Sequence, residues 1–311
     1  MDNQNTKYIF DSIVEISGTR VGGLHNQIPT TLIGSIFYMR HKIVKDEVNG
    51  DFDEKAAAVL IETCLEYVEK LGVGFMLDVI GNTPKALVKY VQFLRKISKT
   101  PILINSTSPE PRIKAARELA FLGLTDNIIY NSINPFNTTD EMEILAELPI
   151  STAIVQAYNA KSKKVDGPLK ALVGTSNQNG ILDQAIRAGI SKIMVDIPVL
   201  DLSSVGLIPQ QAKAIVKALS VPVGCAPSNA TYTNEWLKNR AEVSFDQFRM
   251  LNAVVNSYLA GQGCNFLFFG PIEGAPFVFP ACAIVDAVNV YGARQSGISP
   301  ESESHPIFKI M

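Results

Sequence analysis

Residues 74–111 read GFMLDVIGNTPKALVKYVQFLRKISKTPILINSTSPEP. Two apolar runs, GFMLDVIG from Gly74 and PILINSTS from Pro101, flank a segment, Pro84–Ser98, whose apolar residues recur every three or four positions. Runs that are apolar without alternation mark strands covered on both faces, and the segment between them has the period of a helix. Thr83-Pro84 and Ser108-Pro109 each set a hydroxyl ahead of a proline, the pattern of a helix start. The stretch therefore predicts a strand, a crossover helix and a second, parallel strand.

The same unit recurs outward in both directions. Further strands are predicted at TTLIGSIF from Thr30, NIIYNSIN from Asn127, TAIVQAYN from Thr152, KIMVDIPV from Lys192, VPVGCAPS from Val221 and CNFLFFGP from Cys264. Helical periodicity appears in Asp53–Leu71, Pro109–Leu122, Asp183–Ala188, Pro209–Leu219 and Ser244–Ala260. Eight strand–helix units predict the α/β class and a closed (β/α)8 TIM barrel, and 311 residues suit one such domain over 1–311. Residues 1–29 stand outside the repeat. Within them IFDSIVEISGTRVGG predicts a short N-terminal hairpin, turning at Ser17-Gly18 and capping the lower mouth. Ala160–Asn179, rich in Lys, Ser, Gly and Asn, reads as a long connection on the upper face.

Composition narrows the function. The chain is 47% hydrophobic and 19% charged with a net charge of -2, so it carries no basic footprint for nucleic acid. The opening MDNQNTKYIF lacks a basic segment followed by an apolar run, which makes the cytoplasm the expectation. Ala275 to Val290 is shorter than the ~20 residues a bilayer requires. With Pro276, Pro280, Asp286 and Asn289 in it, the stretch reads as a buried helix without membrane insertion. Cys64, Cys225, Cys264 and Cys282 are scattered, as are His25, His41 and His305, so no metal site is expected.

The active face of such a barrel is built at the carboxyl ends of its strands. There the chain places Asp78, Asn105 and Ser106, Asn131 and Ser132, Gln156 and Asn159, Asp196, the turn Gly224-Cys225-Ala226-Pro227-Ser228-Asn229, and Glu273. A phosphosugar enzyme would need a glycine-rich anion nest, and a metallohydrolase convergent histidines; neither is visible. Carboxylates and amides instead suit a flat, neutral heterocycle with a fixed donor and acceptor edge, such as a reduced pterin. Structural alternatives remain for each: Asp78 as a buried helix cap, Asn131 as a bridge between strands, Asn229 as a turn residue.

LIGSIFY with HKIV, MLDVIGNTP, ILINSTSPEPRI, IIYNSIN, VDIPVLD, PVGCAPSNA and FGPIEGAPFVFPACAIVDA with SHPIFKIM, taken in order, resemble the family of the tetrahydromethanopterin S-methyltransferase H subunit. That family includes bacterial tetrahydrofolate methyltransferases served by corrinoid proteins, and it is related to dihydropteroate synthase and to the methyltransferase of the corrinoid iron–sulfur protein. The resemblance implies a barrel of the pterin-binding type that moves a methyl group between a corrinoid carried by a partner protein and N5 of tetrahydrofolate or tetrahydromethanopterin. A homodimer is the expected assembly. By the matched motifs, Asp78, Asn105, Asn131 and Asp196 would hold the pyrimidine side of the pterin, and Gly224, Ser228 and Asn229 would close the rim over it; Ser106 and Gln156, at the ends of neighbouring strands, are expected to bind it too. Asp196 or Asp201 would face N5; where the corrinoid iron–sulfur enzyme has an Asn, this sequence reads VLDLSS, with Ser203 near that place. Two other readings stay open, a condensation of the dihydropteroate-synthase type and a non-catalytic barrel subunit of a methyltransferase complex.

Overall fold

The computed structural model describes Tyr8 and residues 10–160, 162, 164–175 and 178–311. Eight parallel strands close a barrel: β1 Thr31–Ile36, β2 Gly74–Ile80, β3 Ile102–Asn105, β4 Ile128–Ile133, β5 Thr152–Gln156, β6 Lys192–Ile197, β7 Val223–Cys225 and β8 Phe266–Pro271. They neighbour one another in chain order, and β8 pairs back onto β1. The principal crossover helices are α1 Glu54–Leu71, α2 Pro84–Ile97, α3 Pro109–Phe121, α4 Thr139–Ala146, α5 Gly167–Val173, α6 Ile181–Arg187 and α7 Ile208–Leu219. After β7 come α8 Pro227–Thr233, α9 Glu235–Lys238 and α10 Phe245–Gly261; after β8 come α11 Ala275–Ala293 and α12 Pro306–Ile310.

Local chemistry sets the helix starts. Thr83 Oγ1 accepts from Ala86 N at 3.1 Å with Pro84 opening α2, and Asp53 caps α1 by accepting from Ala56 N at 3.0 Å. Ser108 stands at the cap of α3, but its hydroxyl makes no capping bond, so Pro109 alone supplies the start signal.

The two-residue period of a strand divides the barrel into shells. Leu32, Ile36, Leu77, Val79, Ile104, Val155 and Val195 point outward into the apolar layer beneath the helices. Inward, Ile33, Met76, Leu103, Ile129, Ile154, Met194, Phe266 and Phe268 form a separate buried cluster. Val14, Ile16 and Val21 belong to that same cluster. They come from the hairpin Ile13–Ile16 with Thr19–Gly22, which lies at the amino ends of the strands: Lys192 Nζ donates to Glu15 O at 2.8 Å and Thr31 Oγ1 to Arg20 O at 3.4 Å.

Several elements depart from the sequence expectation. The Ala160–Asn179 connection contains α5, started by Pro168, and a short antiparallel pair, Gly174–Thr175 with Gln178–Asn179. The helices α4, α8 and α9 were unforeseen, as was the pair Val44–Asp46 with Asp51–Phe52. The Ala275–Val290 stretch is longer than expected: the helical run Ile272–Ser296 has 25 residues, enough by length and composition to cross a membrane. One face, including Val278, Phe279, Cys282 and Asp286, is core packed on α10 and α1, while Ile284, Val288 and Tyr291 are exposed. Asp286 anchors the approach to β1. It accepts from Thr30 N at 2.9 Å, Thr30 Oγ1 at 2.8 Å and Asn26 Nδ2 at 2.6 Å, and His305 Nε2 donates to Asn26 O at 2.7 Å.

Candidate active site

Two residues above the apolar barrel floor, the inward positions become polar: Ser35, Asp78, Asn105, Asn131, Gln156 and Asp196, on β1 to β6. Register brings Ser35 beside Asp78, Asn105 beside Asn131 and Gln156 beside Asp196. Asp78, 3% exposed, is nearly saturated with donors. Its Oδ1 accepts from Asn105 Nδ2 and Asn131 Nδ2, each at 3.0 Å, and its Oδ2 from Ser35 Oγ at 2.9 Å. Burial pushes its carboxyl up to about 6, and these three donors oppose the rise. Their amide N–H groups committed, Asn105 and Asn131 keep their amide oxygens for another partner.

Asp196 is equally buried but less satisfied. Its Oδ2 accepts from Gln156 Nε2 at 3.2 Å, whereas Oδ1 is buried with no partner. Burial, helped by the charge of Asp78, pushes it up to about 6. Ser106 Oγ, just past β3, is likewise buried and unpartnered. A polar atom left so costs about 1–3 kcal/mol. The mouth thus offers an unpaired carboxylate oxygen, an unpaired hydroxyl and two amide oxygens, a set that accepts N–H groups of a planar ligand.

The other sequence candidates fall elsewhere. Asp201 is exposed and outside the polar layer, where its Oδ1 accepts from Ser204 N at 2.7 Å and caps the turn Ser204–Leu207. Gly224 lies within β7, and a Cβ there would meet Phe266 O at 2.1 Å, so close strand packing accounts for the glycine. Ser228 Oγ donates to Phe268 O at 3.0 Å and holds α8 against β8. Asn229 is exposed on α8, not gathered into the layer.

A second network at the mouth was not read from sequence. His41 Nδ1 accepts from Phe37 N at 3.1 Å, which leaves the proton on Nε2 to donate to Glu273 Oε1 at 3.0 Å. Tyr38 donates to the same carboxylate at 3.3 Å, its ring stacked on His41 with centroids 4.2 Å apart. Burial raises the Glu273 carboxyl, but the His41 and Tyr38 donors outweigh it and hold it below the usual carboxylate range. Glu273 was visible as the end of strand 8; HKIV after strand 1 was the only other signal, and 232 residues separate the pair.

Among the described residues no group of three His, Cys, Asp or Glu could hold a metal ion. Two large clefts, about 760 and 840 Å³, lie toward the amino-terminal side, the first beside the hairpin turn, away from the polar layer. A smaller one, about 350 Å³, adjoins the carboxyl ends of β5 and β6.

The barrel resembles solved DHPS structures in fold. A Yersinia pestis DHPS with a pterine-sulfa conjugate matches 89% of this chain and 98% of its own with a TM-score of 0.60 at 11% identity. Plasmodium falciparum HPPK-DHPS with STZ-DHP matches 96% of this chain and 52% of its own at 0.55 and 13% identity. Sequence likeness is closer to another group. The H subunit of the tetrahydromethanopterin S-methyltransferase of Methanothermobacter thermautotrophicus is 34% identical over 303 residues, covering 96% of this chain and 97% of that protein. Its counterpart, likewise an H subunit, from Methanopyrus kandleri is 33% identical, covering 94% and 95%, and the H subunit of a putative mtx methyltransferase of Methanosarcina barkeri is 31% identical, covering 95% and 96%. The model of the tetrahydromethanopterin S-methyltransferase MtrH subunit family matches residues 10–301, so that nearly every strand, helix and loop of this barrel, the polar layer included, belongs to a member of that family.

Proposed function

We infer that the chain is a methyltransferase that binds a reduced pterin across the polar layer and transfers a methyl group between the pterin N5 and a corrinoid carried by a partner protein. The observation that carries the reading is the unpartnered, buried Oδ1 of Asp196 in a layer of carboxylates and amides, within a chain of this family. Asp78 fixes the Asn105 and Asn131 amides, whose oxygens, with Asp196 and Ser106, meet the N–H groups of the pyrimidine edge.

The corrinoid supplies cobalt as the methyl carrier and arrives on the partner. This chain's residues do the rest. The rigid strand ends hold N5 in one orientation, a proximity effect, and Asp196, poised near 6, accepts the N5 proton when N5 takes the methyl and returns it in reverse. Asp201, turned into its own cap, is the weaker candidate for that role. Tetrahydromethanopterin is favoured over tetrahydrofolate by the names of the relatives.

A condensation of the dihydropteroate-synthase type releases pyrophosphate, and a carboxylate, Glu273, stands at the β8 mouth where a cation would serve that anion. A purely structural barrel subunit would have no use for unpaired polar atoms at the mouth. Cytoplasmic residence and a homodimer complete the proposal; α10 leaves Met250, Val254 and Tyr258 exposed beside Ile284, Val288 and Tyr291 of α11, an apolar face of the kind a second copy covers. Calorimetry of the purified chain with each reduced pterin, in the presence of a chelator, followed by methyl transfer from free methylcobalamin, is the test. Absence of binding to either pterin, or binding that only zinc restores, sinks the reading.

A further inference from the structure

The segment that follows α11 has no part in the proposed chemistry. Residues 297–311 cross the amino-terminal side of the barrel as a strap. Glu301 N donates to Gln27 O at 3.1 Å, the Glu301 carboxylate accepts from Arg20 Nη1 of the hairpin at 2.7 Å, and Ile307 of α12 is buried against Ala287 and Val290 of α11. The strap lies so close to the end of α1 that a Cβ at Gly72 would meet Ser304 O at 1.7 Å. Glu301, Ser302, Ser304 and Lys309 also line the cleft of about 760 Å³ beside the hairpin turn.

His305 closes the strap. It is wholly buried, and its two ring nitrogens are committed in opposite senses. Nδ1 accepts from Ile307 N at 3.1 Å and so caps α12, while Nε2 donates to Asn26 O at 2.7 Å. A backbone N–H can only donate and a carbonyl only accept, so both bonds exist together for one form of the ring, the neutral Nε2–H tautomer. A second proton, on Nδ1, would face the Ile307 N–H, and the cap would be lost. With five residues, α12 falls far short of the roughly 12–15 at which a helix holds by itself.

We propose that residues 297–311 form an acid-released latch, in which protonation of His305 frees α12 from α11 and opens the cleft beside the hairpin. The charged and titratable groups around the ring are Asp286 on α11, Arg294 after it, Glu69 and Lys70 ending α1, and Glu303 and Lys309 on the strap, Arg20 and Glu301 being paired with each other. Asp286 spends its oxygens on Asn26 and Thr30. Burial holds the imidazole below its ordinary 6.5; the Asn26 carbonyl opposes this, and Arg294, whose guanidinium stands 5.7 Å from the Phe308 ring centroid, reinforces it. A group depressed in the closed state supports closure fully above 6.5 and loses that contribution as pH falls.

The test follows the full chain by hydrogen exchange and mass spectrometry at pH 7 and pH 5, with rates corrected for the intrinsic chemistry of exchange. The peptide over 297–311 is expected to lose protection roughly five- to twentyfold on acidification, while peptides from the barrel strands keep theirs. His305→Asn retains an oxygen to cap Ile307 N and carries no titrating ring, so its strap should be equally protected at both values. Parental protection that is the same at pH 5 and pH 7, or a loss in His305→Asn as steep as in the parent, overturns the latch. If that variant is open at both values, the ring resonance of His305, one of three histidines, decides by NMR: a midpoint below 6.5 that tracks opening supports the latch, and any other behaviour sinks it.

Discussion

Asp78 and Asp196 are alike in burial and in the direction of their shift, and differ in how much of their hydrogen-bonding capacity the protein itself consumes. Asp78 has three donors and acts as the fixed point of the layer. Replacing Asp78 or Asn131 by Ala is expected to weaken pterin binding by about 1–3 kcal/mol, since each removes a partner or the support of one. Calorimetry on the folded variants checks it, and parental affinity in both would show the orienting residues to be misplaced. Asp196 keeps one oxygen free, and under the proposed function its part is in the reaction. Asp196→Asn should slow single-turnover formation of cobalt(I) from methylcobalamin roughly ten- to a thousandfold, with a far smaller change in affinity. Asp201→Asn, which disturbs only an exposed cap, should stay near the parental rate. Because the carboxylate form accepts the N5 proton, that rate should also rise as pH passes upward through about 6 in the parent, and not in Asp196→Asn. An unchanged rate in Asp196→Asn removes β6 from the chemistry.

Behind β4, α3 and α4 meet through a buried ion pair. Arg112 Nη2 donates to Glu141 Oε1 at 2.7 Å, Arg112 Nη1 donates to Asn131 O at 3.2 Å, Tyr130 donates to Glu141 Oε1, and Asn137 Nδ2 donates to Glu141 Oε2 at 2.7 Å. Breaking such a pair costs about 3–5 kcal/mol, whereas replacing both partners by apolar groups is often neutral. Arg112→Met should therefore lower the unfolding free energy in urea by that amount, and Arg112→Met with Glu141→Leu should recover only part of it, because the buried Tyr130 hydroxyl and the Asn137 amide then lose their acceptor. The double variant should still bind pterin less tightly, because the Asn131 backbone loses its tether. This arrangement also explains what sequence could tell. Strands were legible because both faces are covered and their cores read as unbroken apolar runs, and Asp78, Asn105, Asn131, Gln156 and Asp196 stood out at the ends of those runs. The helix α4 did not, because its buried face includes Glu141, an acid that apolar periodicity counts as exposed. Glu273 and His41 come together only because β8 closes onto β1, a contact no local pattern carries.

At the scale of the whole molecule, three buried carboxyls that bind protons more tightly in the folded state make stability depend on pH. Asp78 and Asp196 are pushed up to about 6 and Asp286 to about 7 from an ordinary 3.8, burial being the main cause in each. A carboxyl raised in the folded state favours folding while protonated, so this contribution is full below about 3.8 and is lost as pH rises toward 6 or 7. Each tenfold gain in proton affinity on folding corresponds to about 1.4 kcal/mol. His305, depressed by burial, acts in the opposite sense as pH rises toward 6.5, one group against three. Urea unfolding is expected to give a lower free energy at pH 8 than at pH 5; a flat or rising profile contradicts these assignments. The hairpin that packs Val14, Ile16 and Val21 under the interior side chains has a kinetic consequence. With the interior side chains it closes the barrel beneath the polar layer, so under the proposed function the pterin enters and leaves through the same mouth that a corrinoid protein would cover. Binding is then of compulsory order, with the pterin in place before the protein docks, and a large excess of docked partner should trap the product and slow turnover.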